Sequence, residues 1–529
     1  PRHSSSAASD VYKRQTWSPV DNSGGVTLSD GNLKATSTTH NSGAFSTISM
    51  TSGKWFWEQT IQGINSFVGI ADQAALVRGY GSSNALYYYS NSGTTYGTLA
   101  GFTGGTSVGA TFGAGDVIGT ALDMDNGTVA FYKNGTLQNT LTPTGLSNYK
   151  IVAAMDNGGG AATVNVLNAG QRAFAYTAPS GYKCLCTANL PDPTIADGSK
   201  YFDTKLWTGN GSTQSISLGF SPDLLWYKSR SLAHHHGIQD TVRGVGKAVS
   251  SSSADQEATE TAGLDSFDSN GFSLDGNYYY SINVNGASFV GWAWDAGSST
   301  VTNTDGTISA QVRANPSAGF SIVSYTGNGT GGLTVGHGLN AAPKMVIYKN
   351  RNDTSHWRVY HTMADGSLDF IYLNATDANQ DSGLATFTSS VFTVGGSNDT
   401  NGSGDSLIAY CFAPVEGYSA FGSYTGNGSA DGPFVFTGFR PKWVMYKRTD
   451  AANWWQIHDT VRDPDNPVLE RLSANASDAE YTGTTSSDTI DALSNGFKVR
   501  GSNNGINASG GTYIYAAFAE HPFKTARAR

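Results

Sequence analysis

At 529 residues the chain has the length of three or four domains, yet only 14% of it is charged, well under the roughly 25% usual in globular proteins. A net charge of −9 and a pI near 5.5 argue against a nucleic-acid partner, which normally announces itself as a basic patch. Three cysteines exclude a disulfide framework, no apolar run reaches the ~20 residues of a membrane span, and no stretch keeps a helical period, so the predicted class is all-β.

In chain order, residues 1–15 are expected to be a non-native or disordered leader, because they resemble translated adapter read-through. Residues 54–61 (Lys-Trp-Phe-Trp-Glu-Gln-Thr-Ile) and 67–71 are predicted strands, rich in the aromatic and branched residues that suit a pleated surface. A long polar excursion follows over 72–109, carrying Arg78, Tyr80, Tyr87, Tyr88, Tyr89, Tyr96 and Phe102 amid Gly, Ser, Thr and Asn. Residues 117–124 and 128–133 flank Asp125-Asn126-Gly127, and Asn134-Gly135 makes a second turn, so this stretch is predicted as a hairpin leading into a third strand. Its first strand carries almost no charge between Asp116 and Asp123 and is expected to be central, covered on both faces. Residues 149–156 and 162–167 close the module, and the Pro-punctuated 179–200 is expected to be a connector.

Gly53-Lys-Trp-Phe-Trp-Glu58, Phe67-Val-Gly-Ile-Ala71 and the hairpin from Asp116 to Gly135 stand in the order and spacing of a SPRY domain, which residues 16–178 resemble. The resemblance implies a lectin-like (concanavalin A-like) β-sandwich in which variable loops at one end bind a partner, and it points to the 72–109 excursion. The join, Pro179-Ser-Gly-Tyr-Lys183 and Ala188-Asn-Leu-Pro191, resembles the SPRY-to-repeat boundary of structural proteins from tailed bacteriophages, and the phrase from Arg313 to Thr330 is similar to one in phage virion proteins.

The remainder repeats. Trp207-Thr-Gly-Asn-Gly recurs from Tyr325 and again from Tyr424, at intervals of roughly a hundred residues, the scale of a small domain. The phase holds through Pro222–Lys228, Pro343–Lys349 and Pro441–Lys447, through Asp240-Thr-Val-Arg243 and Asp459-Thr-Val-Arg462, and through the closing segments 288–294, 407–412 and 513–518. Three divergent β-sandwich-like repeats are expected at 201–298, 318–416 and 417–529, with a linker at 299–317.

Chemistry is sparse. His234-His235-His236 aligns with Asn-Trp454-Trp455 and with Ser-His356-Trp357, so imidazole is expected to fill an aromatic packing slot rather than bind metal. Asp123-Met-Asp-Asn-Gly127 lacks the spacing of a calcium loop and reads as a turn. Only seven glutamates occur, and there is no G-x-S-x-G elbow, H-E-x-x-H or P-loop. No catalytic residues, metal or cofactor are expected.

Sugars and proteins bind to exposed aromatic rings flanked by polar groups on rigid loops. The candidate ligand-binding residues are therefore Arg78, Tyr80, Tyr87, Tyr89 and Tyr96 in the excursion, with Trp454 and Trp455 as a second platform. The resemblance implies a non-enzymatic virion protein, tail-fibre-like or surface-decorating, that binds a host-surface glycan or protein and other virion proteins. Neither nucleic-acid binding nor membrane insertion is expected, and a homo-oligomer is compatible. A polysaccharide depolymerase or a scaffold without a host ligand are the alternatives.

Overall fold

The computed structural model describes residues 13–22, 25–39, 42–63, 65–72, 84–97, 99, 105–144, 149–155, 162–276, 280–363, 365–384, 387–482 and 488–524. Strands dominate them; the helices are two of four residues each and one short 3₁₀ turn. The chain divides into two compact units, Pro1–Asp192 and Pro193–Arg529.

The first unit pairs a six-stranded with an eight-stranded sheet. In the first, Trp17–Asn22, Ser42–Met50, Tyr149–Met155, Ser66–Asp72, Ala85–Tyr89 and Thr95–Tyr96 follow one another from edge to edge. In the second, Val117–Asp123 lies between Thr128–Lys133 and Lys54–Ile61, and all but its first residue are buried, as expected of a strand covered on both faces. The segment after the last sheet strand covers it and its neighbour Lys54–Ile61, with Phe174, Ala178 and Tyr182 packed against Phe56, Ala121 and Ala130. Glu58, 2% exposed, accepts the backbone N–H groups of Ala175 (2.8 Å) and Tyr176 (2.9 Å), and Phe174 packs edge-on against Phe56. The hairpin turn is saturated internally, Asp123 accepting from the amides of Asp125 and Asn126 and pairing with Lys54 at 2.8 Å.

Two expectations at the ends of this unit are corrected. Residues 13–15, assigned to the leader, belong to the sandwich: Gln15 is wholly buried, donating to Ile48 O and accepting from Ile48 N, while the remaining leader residues lie outside the described ones. The connector is divided, since Lys183–Cys184 adds a parallel strand to Lys54–Ile61 and Leu185 is fully buried, so the unit runs to Asp192.

In the second unit each repeat has a main sheet and a small one with a core between them: Trp207, Leu225 and Phe289 in the first, Tyr325, Val346 and Phe392 in the second, Tyr424, Val444 and Phe497 in the third. The expected sandwich-like repeats are thus present, but they are lobes of one body. The opposite faces of the three main sheets share a single core that includes Trp226, Trp292 and Trp294, then Ile347, Trp357 and Phe412, then Trp443, Trp455 and Phe518. Trp294, Phe412 and Phe518 occupy the same position in their repeats. Their ring centroids form a triangle of 6.3, 6.1 and 5.6 Å, which marks a pseudo-threefold axis. Period-2 alternation explains the double coverage: along Ser288–Trp294, Val290, Trp292 and Trp294 face the shared core while Phe289 and Ala293 face the lobe's own. The 299–317 linker is likewise corrected. It forms Thr300–Asn303 and Ala310–Asn315, which extend the second repeat's main sheet to seven strands.

The Thr-Gly-Asn-Gly signature is a latch. Trp207 Nε1, Tyr325 Oη and Tyr424 Oη donate to the carbonyls of Ile282, Thr400 and Ile506. One residue on, the buried Asn283, Asn401 and Asn507 accept the amides of Asn210, Asn328 and Asn427 at 2.9, 2.9 and 2.7 Å. A conserved geometry with every polar group satisfied needs no ligand to explain it.

Candidate functional site

In the first unit the structure brings together part of the expected aromatic set. Thr95–Tyr96 is an edge strand paired with Ala85–Tyr89. Tyr88 points between the sheets, packing on Phe112 and Phe131, and burial pushes its hydroxyl up to about 12. Tyr87 and Tyr89 therefore project from the other face. Tyr87 is wholly buried against Phe67, so its expected role as a ligand platform is corrected to core. Tyr89 and Tyr96 are half-buried. Tyr89 stacks on Phe67 at 4.2 Å, and Tyr96 stands edge-on to both Tyr89 (5.1 Å) and Phe67 (5.6 Å). Arg78 and Tyr80 lie outside the described residues.

Two amides that sequence reasoning missed complete the patch. Asn91, exposed at the tip of the hairpin, donates to Tyr89 Oη at 3.1 Å and to Asn65 Oδ1. Asn65 sits at positive φ in the turn before Ser66–Asp72, a conformation Asn tolerates. The hairpin tip is held from behind. Val108 and Gly109 both donate backbone N–H groups to Gly93 O, and a Cβ at Gly93 would lie 2.1 Å from Gly109 O, so only glycine fits the turn. Ring faces packed on one another and edged by amide donors and acceptors can bind a ligand by stacking and hydrogen bonding.

The Trp454–Trp455 pair splits. Trp454 is 45% exposed, whereas Trp455 is 1% exposed and its Nε1 donates to Tyr372 O of the second repeat at 2.8 Å. Trp455 is a junction anchor, and its expected role as a platform is corrected. The equivalent Trp357 donates to Ser250 O of the first repeat at 2.7 Å. At the third junction stands His236, whose Nε2 lies 3.0 Å from Ser473 O while Nδ1 accepts from Trp226 Nε1 at 2.9 Å. These partners define a neutral imidazole with its proton on Nε2, and burial lowers its pKa well below the usual value.

The junctions share further parts. Buried Lys349 and Lys447 reach into the preceding repeat, to Ala254 O (2.9 Å) and Asp377 O (3.0 Å). The amides of Glu257, Asn379 and Glu480 donate to the carbonyls of Arg351, Thr449 and Arg230. Ion pairs reinforce two junctions, Arg351–Glu257 and Arg230–Glu480, both at 2.7 Å; the third has Thr449 and Asn379 instead. Arg243 and Arg462, fully buried, brace the same glutamates and their own Asp240 and Asp459. All these groups are engaged in holding the lobes together. Among the described residues no group of three or more His, Cys, Asp or Glu could hold a metal ion.

Comparisons with known proteins divide at the same place as the fold. Residues 197–522 match the family described as "Domain of unknown function (DUF7483)", and residues 54–159 match the SPRY domain, which points to an interaction or binding role. Solved structures similar to the chain include the SPRY domain of human HERC1 (17% identity, 30% of this chain, 99% of that one, TM-score 0.26). The TRIM65 PSpry domain (16%, 30% and 92%, TM-score 0.23) and stonustoxin (17%, 29% and 27%, TM-score 0.23) are also similar. No curated protein matches.

Proposed function

We propose that this chain, which belongs to the family described as Domain of unknown function (DUF7483), is a non-enzymatic adsorption protein of a tailed-phage virion, tail-fibre-like or surface-decorating. Its SPRY domain binds a host-surface glycan or protein, and the three-lobed unit is the rigid body that carries it and meets other virion proteins. The observation that supports this most is the patch of Tyr89 and Tyr96 packed on Phe67, with Asn65 and Asn91 at the ring edges. The virion assignment rests on the resemblance of the 179–191 join and the 313–330 phrase to phage structural proteins. Many copies on one particle would turn weak single contacts into stable attachment.

The test is a glycan and envelope-protein array probed with the full chain and with Tyr89→Ala/Tyr96→Ala. The wild-type chain is expected to bind a defined ligand, and the double variant to lose at least about tenfold in affinity, as when a central aromatic anchor is removed. Equal binding by both, or none by either, would refute the reading, and immunogold labelling of intact virions tests the location.

A further inference from the structure

A second polar site lies in the other unit, where the first repeat meets the strand that was expected to be a linker. An open cleft of about 630 Å³ is bounded there by Ser221, Asp295, Ser298, Arg313 and Asn315. Alternation along Ala310–Asn315 buries Ala310 and Val312 in the second lobe and turns Arg313 to the opposite face, toward Asp223 of the first repeat. Asp223 is nearly inaccessible, with Oδ2 accepting from Ala296 N and Oδ1 from Thr241 Oγ1. Arg313 Nε lies 2.6 Å from that already shared Oδ1. A structural Arg–carboxylate pair is commonly bidentate. This one is not, and among the described residues Nη1 and Nη2 have no hydrogen-bond acceptor. Asp295 accepts a local turn bond from Gly297 N (2.6 Å) and, from the second repeat's strand, Asn315 Nδ2 (3.2 Å), one on each oxygen, which leaves both with further acceptor capacity.

The repeats provide an internal control. At the position of Asp223 the other two carry Lys344 and Lys442, and at that of Asp295 they carry Ala413 and Ala519, while Arg313 belongs to the extra segment that only this junction has. Elsewhere in the same molecule lobes and junctions form without these groups, so they are not part of the repeat's common framework.

From this geometry we infer that the cleft is a binding site for a neutral saccharide with vicinal hydroxyl groups. Arg313 Nη1 and Nη2 donate to adjacent sugar oxygens, and Asp295 accepts from a hydroxyl on the opposite wall. Ser221 and Ser298, both exposed, edge the mouth. Charge decides against an acidic sugar. Burial raises Asp223 to about 6, so at neutral pH it is mainly ionised and cancels Arg313, and Asp295 leaves the cleft net negative. The site is separate from the Tyr89–Tyr96 patch and does not depend on that reading.

The experiment is saturation-transfer NMR and calorimetric titration of the full chain with methyl glucoside, methyl galactoside, methyl mannoside, maltose, lactose and glucuronate. Wild type is expected to bind at least one of the neutral sugars and to bind glucuronate at least about tenfold more weakly. Arg313→Met and Ser298→Trp should each weaken the neutral sugar by about tenfold or more. If loss of the Asp223 partner unfolds Arg313→Met, Ser298→Trp still decides, because Ser298 is exposed and only fills the mouth. Tyr89→Ala/Tyr96→Ala separates the sites, since sugar binding that survives it and disappears with Ser298→Trp belongs to the cleft. Absence of binding by every neutral sugar, indifference to Ser298→Trp, or preference for glucuronate would overturn the assignment.

Discussion

His236 Nε2 of the first repeat lies 3.0 Å from the carbonyl oxygen of Ser473 in the third, and that contact closes three lobes into a ring. It does for this junction what Trp357 and Trp455 do for the other two, with a smaller ring that can also accept from Trp226. His236→Phe keeps the apolar fill but leaves Trp226 Nε1 without its acceptor and removes one of two donors to Ser473 O, the other being Ala476 N. A loss of about 2–4 kcal/mol is expected by urea denaturation at pH 7.5. The histidine's folded pKa is depressed, so its contribution is complete above the unfolded value near 6.5 and is lost as pH falls below it. The gap between wild type and variant should therefore narrow at pH 5.

Lys447 is fully buried, with Nζ donating to the carbonyls of Asp377 and Arg448 at 3.0 and 2.7 Å. Lys447→Met preserves the aliphatic stem and orphans those oxygens. Chemical denaturation should show a loss of about 2–4 kcal/mol, whereas the same substitution at the exposed Lys247–Thr259 contact should be near neutral.

Neighbouring tryptophans should behave oppositely. Trp455→Ala empties part of the shared core and removes a junction bond, for an expected cost of about 3–5 kcal/mol. Trp454→Ala, at an exposed position, should shift the melting temperature little. Comparable losses from both would show that Trp454 is also structural.

Glu260 is buried, accepts a single 3.3 Å bond from Tyr280 N, and is raised to about 7 by desolvation. Its proton is held more tightly in the folded chain, so its stabilising effect is full below the unfolded value near 4.5 and is lost as pH rises through 7. Glu260→Gln keeps an acceptor and cannot ionise. The variant should melt above wild type at pH 8.5, with the difference vanishing near pH 4.5.

The strands of both units could be read from the chain because turn chemistry and alternation are local. The Asp116–Gly135 hairpin and the Thr-Gly-Asn-Gly phrase carry their signals within a few residues. Ring closure is not local: repetition gives the order of the lobes, whereas the contact of His236 with Ser473 joins residues far apart in sequence. Residues 299–317 resembled a linker because Thr300–Asn303 is an exposed edge strand, and Thr, Asn and Gly suit a turn as well as an edge. In Tyr87-Tyr88-Tyr89 alternation predicts opposite faces but not which face is covered, so Tyr87 and Tyr89 could not be told apart. Asn65 and Asn91 escaped notice because amides beside glycine and serine are ordinary turn residues.

The triangle of Trp294, Phe412 and Phe518 also governs how the chain can be made. Each ring arrives on the last main-sheet strand of its repeat, so a nascent chain displays the first two sets of aromatics before the third exists to cover them. Synthesis proceeds at only ~5–20 residues per second, and the body cannot seal until Thr512–Pro522 has left the ribosome. Translation that stops short of that strand yields a sticky two-thirds torso, a natural client for chaperones and proteases.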